Sequence, residues 1–203
     1  MTDATATTDA ATAHLLSFVG ATLIDNRPGV DEVNVPMIRH WVEAMNMPSA
    51  IHLDAEAAAA TGRATVVAPA AMTQAWVMRG YAATVDPAKA PVDGFADLIA
   101  ALDACGYTSV VATDSDFTFE RELVPGDRVS YTEIVDSISD EKTTGLGVGR
   151  FVTTTKTYRD AAGDVVASQV WRTLRFRPKA SSGSDSGTAT DGSAPASTTP
   201  KEG

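Results

Sequence analysis

Two periodicities divide the chain near Gly106. Before that glycine, apolar residues recur at helical spacing. In "VNVPMIRHWVEAM", Ile38, Trp41, Val42 and Met45 fall at i, i+3, i+4 and i+7, one face of a helix. Asn34 is a suitable N-cap, and Pro36 stands in the first turn, where its missing N–H costs nothing. "LDAEAAAATG" predicts a second short helix, capped by Asp54 and ended by Gly62. "HLLSFVGATL" (14–23) predicts a short amphipathic helix, and "GFADLIAALDACG" (94–106) another, with Phe95, Leu98, Ile99 and Leu102 on its apolar face. "APAAMTQAWVMRG" (68–80) differs: Ala71, Met72, Ala75, Trp76, Val77 and Met78 cover most of the circumference, which predicts a helix buried on nearly all sides.

After Gly106 the period becomes two. "YTSVVAT", "DFTFEREL", "RVSYTEIVDSIS", "GRFVTTTKTYRD" and "DVVASQVWRTLRFRP" are rich in Thr, Val, Tyr and Phe, as strands are. "VPGD" (124–127) and "DAAGD" (160–164) supply turns. Helices followed by long antiparallel strands predict an α+β domain, its sheet packed against a buried helix. Both ends lack the apolar residues that would repay ordering. Residues 1–12 alternate Ala, Thr and Asp, and 180–203 form a Ser/Thr/Gly-rich tail, so both are expected to be disordered around one domain at 13–179.

Composition narrows the function. No apolar run approaches the roughly 18 residues of a membrane span. The first residues have neither a basic nor an apolar signal region, so a cytoplasmic protein is expected. A net charge of −10 argues against nucleic acid, which needs a basic surface. The lone Cys105 leaves no intramolecular disulfide and no Cys-rich zinc site. His14, His40 and His52 lack metal-ligand spacing, so no metal or other cofactor is expected. "GLGVG" (145–149) precedes a strand, which marks close backbone approach and not a phosphate loop. Arg172, Arg175 and Arg177, read as one face of the last strand, either hold a ligand phosphate or line a solvated surface.

The order "VPMIRHWVEAM", "IHLD", "VAPAAMTQAWVMRG", "LDACGYTSVVATDSDFTFERELVPGDRVSYTEIVDSIS" and "KTTGLGVGRFVTTTKTYRDAAGDVVASQVWRTLRFRP" resembles the MaoC-like dehydratases over residues 30–178. Within them it resembles the FAS1-like dehydratase (MaoC N-terminal domain) branch, which includes the larger subunits of actinobacterial steroid side-chain hydratases. The resemblance implies a single hot-dog domain, a long antiparallel sheet wrapped around a buried central helix. It also implies an enoyl-CoA hydratase, a lyase reversibly adding water across the 2,3-double bond of an enoyl thioester in fatty-acid or steroid metabolism. Active relatives carry a segment like Ser-Gly-Asp-x-Asn-Pro-Ile-His after the first long helix, whose Asp and His handle the water and its proton.

Aligned His to His, "MNMPSAIH" places His52 on the catalytic histidine but Met47 on the aspartate, and Asn46 on the glycine. A thioether accepts no proton at neutral pH. Glu43 and Asp54 are the nearest alternative acids, and neither spacing recommends it; Asp54 reads as a helix cap. Ala68, Pro69, Ala70, Ala71 and Met72 match the segment whose backbone N–H polarises the thioester carbonyl, with Met47 and Trp76 as further pocket-lining candidates. The small residues here are equally expected simply to let the helix pack closely. The resemblance therefore implies the pocket-building partner of a second hot-dog subunit carrying the Asp/His pair, in a dimer or heterotetramer. A self-sufficient homodimer using His52 and a non-catalytic acyl-CoA-binding scaffold are the alternatives.

Overall fold

The computed structural model describes residues 3–89 and 92–179. Helix α1 (Asp3–Leu16) leads to strand β1 (Thr22–Pro28), then helices α2 (Val35–Ala44) and α3 (Ala55–Ala60). A 3-10 helix (Ala70–Val77), helix α4 (Tyr81–Val85) and helix α5 (Gly94–Ala104) follow. The rest is strand: β2 (Ser109–Phe119), β3 (Ser130–Ile138), the short β4 (Lys142–Thr143), β5 (Gly147–Arg159) and β6 (Val165–Pro178). They form one antiparallel sheet ordered β1-β3-β5-β6-β2, with β4 paired to the start of β5.

The caps act as the sequence predicts. Asn34 Oδ1 accepts the Met37 N–H at 2.9 Å, and Asp54 Oδ1 accepts those of Glu56 and Ala57. The carboxyl of Asp93 does the same for Ala96 at the start of α5, and also pairs with Arg27 and with Arg79. On α2, Ile38 and Val42 are buried, but Met45 is the C-cap and is exposed.

Four expectations need correction. The helix predicted at 14–23 ends at Leu16; after a turn with Gly20 at φ +82°, the chain enters β1. The period-two signal of β1 is hidden by register shifts against β3 and by Asn26 at φ +39°. Helix α1 begins at Asp3, inside the stretch expected to be disordered; alanine favours helix intrinsically, and Leu15 anchors this one in the core. The tail 180–203 lies outside the described residues. Two predicted strands join into the single eleven-residue β2, with a register shift between Ala112 and Asp114.

The fourth concerns the inner helix. Residues 68–80 form a 3-10 helix only from Ala70 to Val77; Met72, Thr73, Trp76 and Val77 are buried, while Ala71 and Met78 are exposed. The sheet therefore covers two elements: this 3-10 helix, and α5, which buries Leu98, Ala101 and Leu102. The register places Tyr131, Glu133 and Val135 of β3, Thr154, Lys156 and Tyr158 of β5, and Ala167, Gln169 and Trp171 of β6 on the inner face. That face is unusually polar. Gln169, fully buried, accepts from Tyr158 Oη at 2.7 Å and donates to Ser115 Oγ and to Gln74 Oε1 of the 3-10 helix. Gly147 and Gly149 lie so close to β6 that a Cβ would meet the carbonyl oxygens of Arg177 and Arg175 at 2.0 and 2.1 Å, so the glycine cluster serves backbone approach.

Candidate active site

His52 closes a 3-10 turn (Ala50–His52) between α2 and α3 and is only 7% exposed. Its Nδ1 lies 2.8 Å from the Val67 carbonyl oxygen, and the Ile51 carbonyl accepts the Val67 N–H at 3.4 Å. A carbonyl only accepts, so Nδ1 carries a proton here, and in the tautomer this contact selects the lone pair lies on Nε2. The next residue, Ala68, donates its N–H to the Leu123 carbonyl, which ties this segment to the loop after β2.

These contacts gather the predicted residues. His52, Ala68, Pro69 and Ala70 line one cavity of about 420 Å³, together with Thr73 and residues 119–123. The 3-10 helix starts at this cavity with no side-chain cap. Among the described residues, the Ala70 and Ala71 N–H groups have no acceptor, as the first donors of a helix must. Thr73 Oγ1 turns back to the Ala70 carbonyl at 2.8 Å. His52 and the free N–H of Ala70 thus belong to residues lining one cavity, a layout that could polarise a carbonyl beside a base.

Four other candidates are not part of it. Met72 and Trp76 belong to the hydrophobic core and Met47 packs against that core; Ala71 is exposed. For Met47 the reason is chemical, since a flexible apolar side chain fills gaps where a carboxylate would be stranded. Asn46, at the motif's glycine position, adopts φ +48°, a conformation that glycine and asparagine tolerate best.

Among the described residues, the Val67 carbonyl is the only hydrogen-bond partner of the imidazole. Glu43 is exposed, and Asp54 caps α3. Glu122 lines the cavity but is held by Arg63 through three contacts of 2.6–3.0 Å, which raise the guanidinium pKa. Arg121 is held by Asp127 and Asp160, and its hydrogen bond to the Asp127 carboxylate leads in holding its pKa up. Glu120 is exposed at the cavity wall and in no ion pair among the described residues. Residues 119–123 were missed in the sequence because nothing local marks them; only the Ala68–Leu123 hydrogen bond brings them here.

The arginines near the end of β6 do not form one face. Arg175 is buried against Asp103 at 2.6 Å and the Tyr107 carbonyl, and Arg177 pairs with Glu141. Arg172 lies on the opposite face over the Phe151 ring. His14 and His40 are exposed. Among the described residues no group of three or more His, Cys, Asp or Glu converges, and no helix is long and apolar enough to cross a membrane.

Residues 17–169 match the family model described as "FAS1-like, dehydratase domain region". The chain is 64% identical over 165 residues to the "Probable enoyl-CoA hydratase alpha subunit" of Thermomonospora curvata, covering 81% of this chain and 51% of that one. It is 38% identical over 151 residues to the "3-oxo-4,17-pregnadiene-20-carboxyl-CoA hydratase alpha subunit" of Mycobacterium tuberculosis, covering 74% and 47%. The chain thus spans about half the length of these two relatives. Among solved structures, a chain of the ChsH1-ChsH2 complex from Mycobacterium tuberculosis superposes with a TM-score of 0.72 at 33% identity, over 85% of this chain and 98% of that one.

Proposed function

The chain belongs to the FAS1-like dehydratase family of MaoC-like hot-dog proteins, and from that premise we propose that it is the pocket-building subunit of a heteromeric enoyl-CoA hydratase. The observation that carries this reading is the solitary imidazole. His52 has Nε2 free to act as a base, and among the described residues the imidazole's only hydrogen-bond partner is the Val67 carbonyl, on Nδ1, while Met47, at the position of the motif's carboxylate, packs against the core. Hydration bonds the water oxygen to C3 of the enoyl thioester and delivers a proton to Cα. Negative charge builds on the thioester oxygen between these events. Acid and base partners contribute on the order of 10²–10⁴ each in rate, so one without the other leaves a poor catalyst. The second hot-dog subunit would supply the complete Asp/His pair.

The free edge of β2 supports a partner. One side of this strand pairs with β6, and among the described residues the other side has no strand. Nearly all of its residues are exposed, Val110 and Val111 included. A long unpaired edge is a ready template for a second chain. Both curated relatives are named as alpha subunits of hydratases, and the solved neighbour is a two-protein complex. In this reading the substrate is an acyl-CoA and the place of work is cytoplasmic.

Glu120 favours a second reading, because it lines the His52 cavity and is not engaged by a cation among the described residues. Swung toward the imidazole, it would make a self-sufficient homodimer. The test is hydration of short, long and steroidal enoyl-CoAs by the purified chain, with and without a second hot-dog protein carrying an intact Asp-x4-His segment. Turnover only with that protein supports the heteromer; turnover alone, abolished by Glu120→Gln and by His52→Ala, supports the homodimer.

A further inference from the structure

Beyond the His52 cavity, the described residues form one of about 530 Å³ between α5 and the inner face of the sheet, and another of about 450 Å³ at the C-terminal end of α5. The latter shares no lining residue with the His52 cavity. Its lining includes Tyr107, Glu141, Arg150 and Arg177, with Thr12 from α1. Tyr107 and Arg150 are buried, 3% and 9% exposed, whereas Arg177 and Glu141 keep nearly half of their side chains in solvent.

Three of these groups answer one another. Tyr107 Oη donates to Glu141 at 2.6 Å, and Arg177 pairs with the same carboxylate oxygen. Arg177 also donates to the Cys105 carbonyl at 2.9 Å and lies over the Tyr107 ring. The hydrogen bond from Tyr107, then the charge of Arg177, hold the Glu141 carboxyl below its usual pKa. Arg150 is the group left over. Its Nε donates to Tyr107 Oη at 3.2 Å and its Nη1 to the Ser139 carbonyl at 2.7 Å, both neutral acceptors. Among the described residues its Nη2 has no acceptor and the guanidinium is in no ion pair. Directly across in the β5–β6 register stands Arg175, also buried, and that one has its own carboxylate, Asp103 at 2.6 Å.

Like charges opposite one another on neighbouring strands repel, and a buried charge without a counter-ion is costly. An anion held by Arg150 removes both costs. Guanidinium forks match the oxygens of phosphates and carboxylates. Here the free donors come from two side chains, since the Nε of Arg177 also has no acceptor among the described residues. A tetrahedral phosphate presents oxygens in more than one direction, which suits two separate donors better than a planar carboxylate. Along β2, Ser109 stands at the Tyr107 end and Phe119 lines the His52 cavity, roughly 30 Å away at about 3.3 Å per residue. An anion beside Arg150 therefore leaves the imidazole untouched.

We propose that this cavity is an anion site for a phosphate group, free or carried as a phosphomonoester, with Arg150 as its main ligand and Arg177 at its rim. Bound there, the anion ties α1 and α5 to the paired ends of β5 and β6. The site stands apart from the hydratase reading, which neither needs it nor fails with it.

The test is calorimetric titration of the full chain with inorganic phosphate and with ribose 5-phosphate, at an ionic strength held constant with chloride. One saturable site per chain is expected. Arg150→Gln should weaken it about tenfold or more, because it removes hydrogen bonds from a charged donor. Arg172→Gln, which removes a cation from the opposite face of the sheet, should leave it unchanged. Should Arg150→Gln not fold, Arg177→Gln at the exposed rim takes its place, with weakened binding again expected. Tighter binding of ribose 5-phosphate supports a phosphomonoester as the occupant, and equal or tighter binding of inorganic phosphate supports the free ion. Absence of saturable binding of both ligands, binding that survives loss of the arginine, or an equal loss in Arg172→Gln overturns the proposal.

Discussion

The His52 cavity and the cavity between α5 and the sheet are built from opposite materials. The His52 cavity has an imidazole whose Nδ1 is held by Val67 and, among the described residues, an Ala70 N–H without an acceptor, but no carboxylate bonded to that imidazole. The cavity under α5 is lined by a buried glutamate and by a lysine whose ammonium lies over the Trp171 ring, charges that a plain core would exclude. Incomplete chemistry in the first is what a subunit that leaves the proton transfers to its partner requires. The contrast can be sharpened by disturbing each region in turn.

The largest effect is expected at Met72, which the sequence offers as pocket lining and the structure places in the core, fully buried. Met72→Ala should cost about 2–5 kcal/mol of stability in denaturant unfolding. If it instead changed ligand affinity with stability intact, Met72 would belong to the His52 cavity after all.

Next comes Asp93, which caps α5 and pairs with Arg27 and Arg79. Burial alone would push its carboxyl pKa up, but the hydrogen bonds from Arg27 and the Ala96 N–H and the charge of Arg79 bring it below the usual aspartate value. Because the folded-state pKa is depressed, the stabilisation is complete above the ordinary aspartate pKa and is lost as pH falls through the folded value. Asp93→Asn should cost about 2 kcal/mol at neutral pH, and less as the pH drops into that range. A variant whose deficit did not shrink in acid would remove the ion pairs from this explanation.

The smallest effect is expected at His52. Removing its hydrogen bond to Val67 should cost about 1 kcal/mol of stability, and His52→Ala in the two-subunit complex should lower kcat by less than tenfold. Replacing the partner's catalytic histidine should lower it by roughly 10²–10⁴. Comparable losses from both would make His52 an equal contributor to the chemistry.

Much of the framework was legible in the sequence because it rests on local rules. Asn34 and Asp54 cap where short side chains precede apolar periodicity, and β3, β5 and β6 show their alternation openly. Strand β1 was not legible, since its bulge and Asn26 erase the period of two. The inner helix was misjudged because circumference counting cannot tell a 3-10 helix with exposed Ala71 and Met78 from an α-helix buried all round. At the site, the loss of the acid showed directly in Met47. Residues 119–123, and the pairing of Glu133 with Lys156 across the sheet, depend on contacts between distant segments that no local pattern encodes.

The most direct measurement is the rate of hydration of an enoyl-CoA by this chain alone and after adding a hot-dog subunit with an intact Asp/His pair. The expected result is at most trace turnover from the chain alone and a rise of at least about 10² on forming the complex. Full turnover by the isolated chain, lost on His52→Ala, would contradict it.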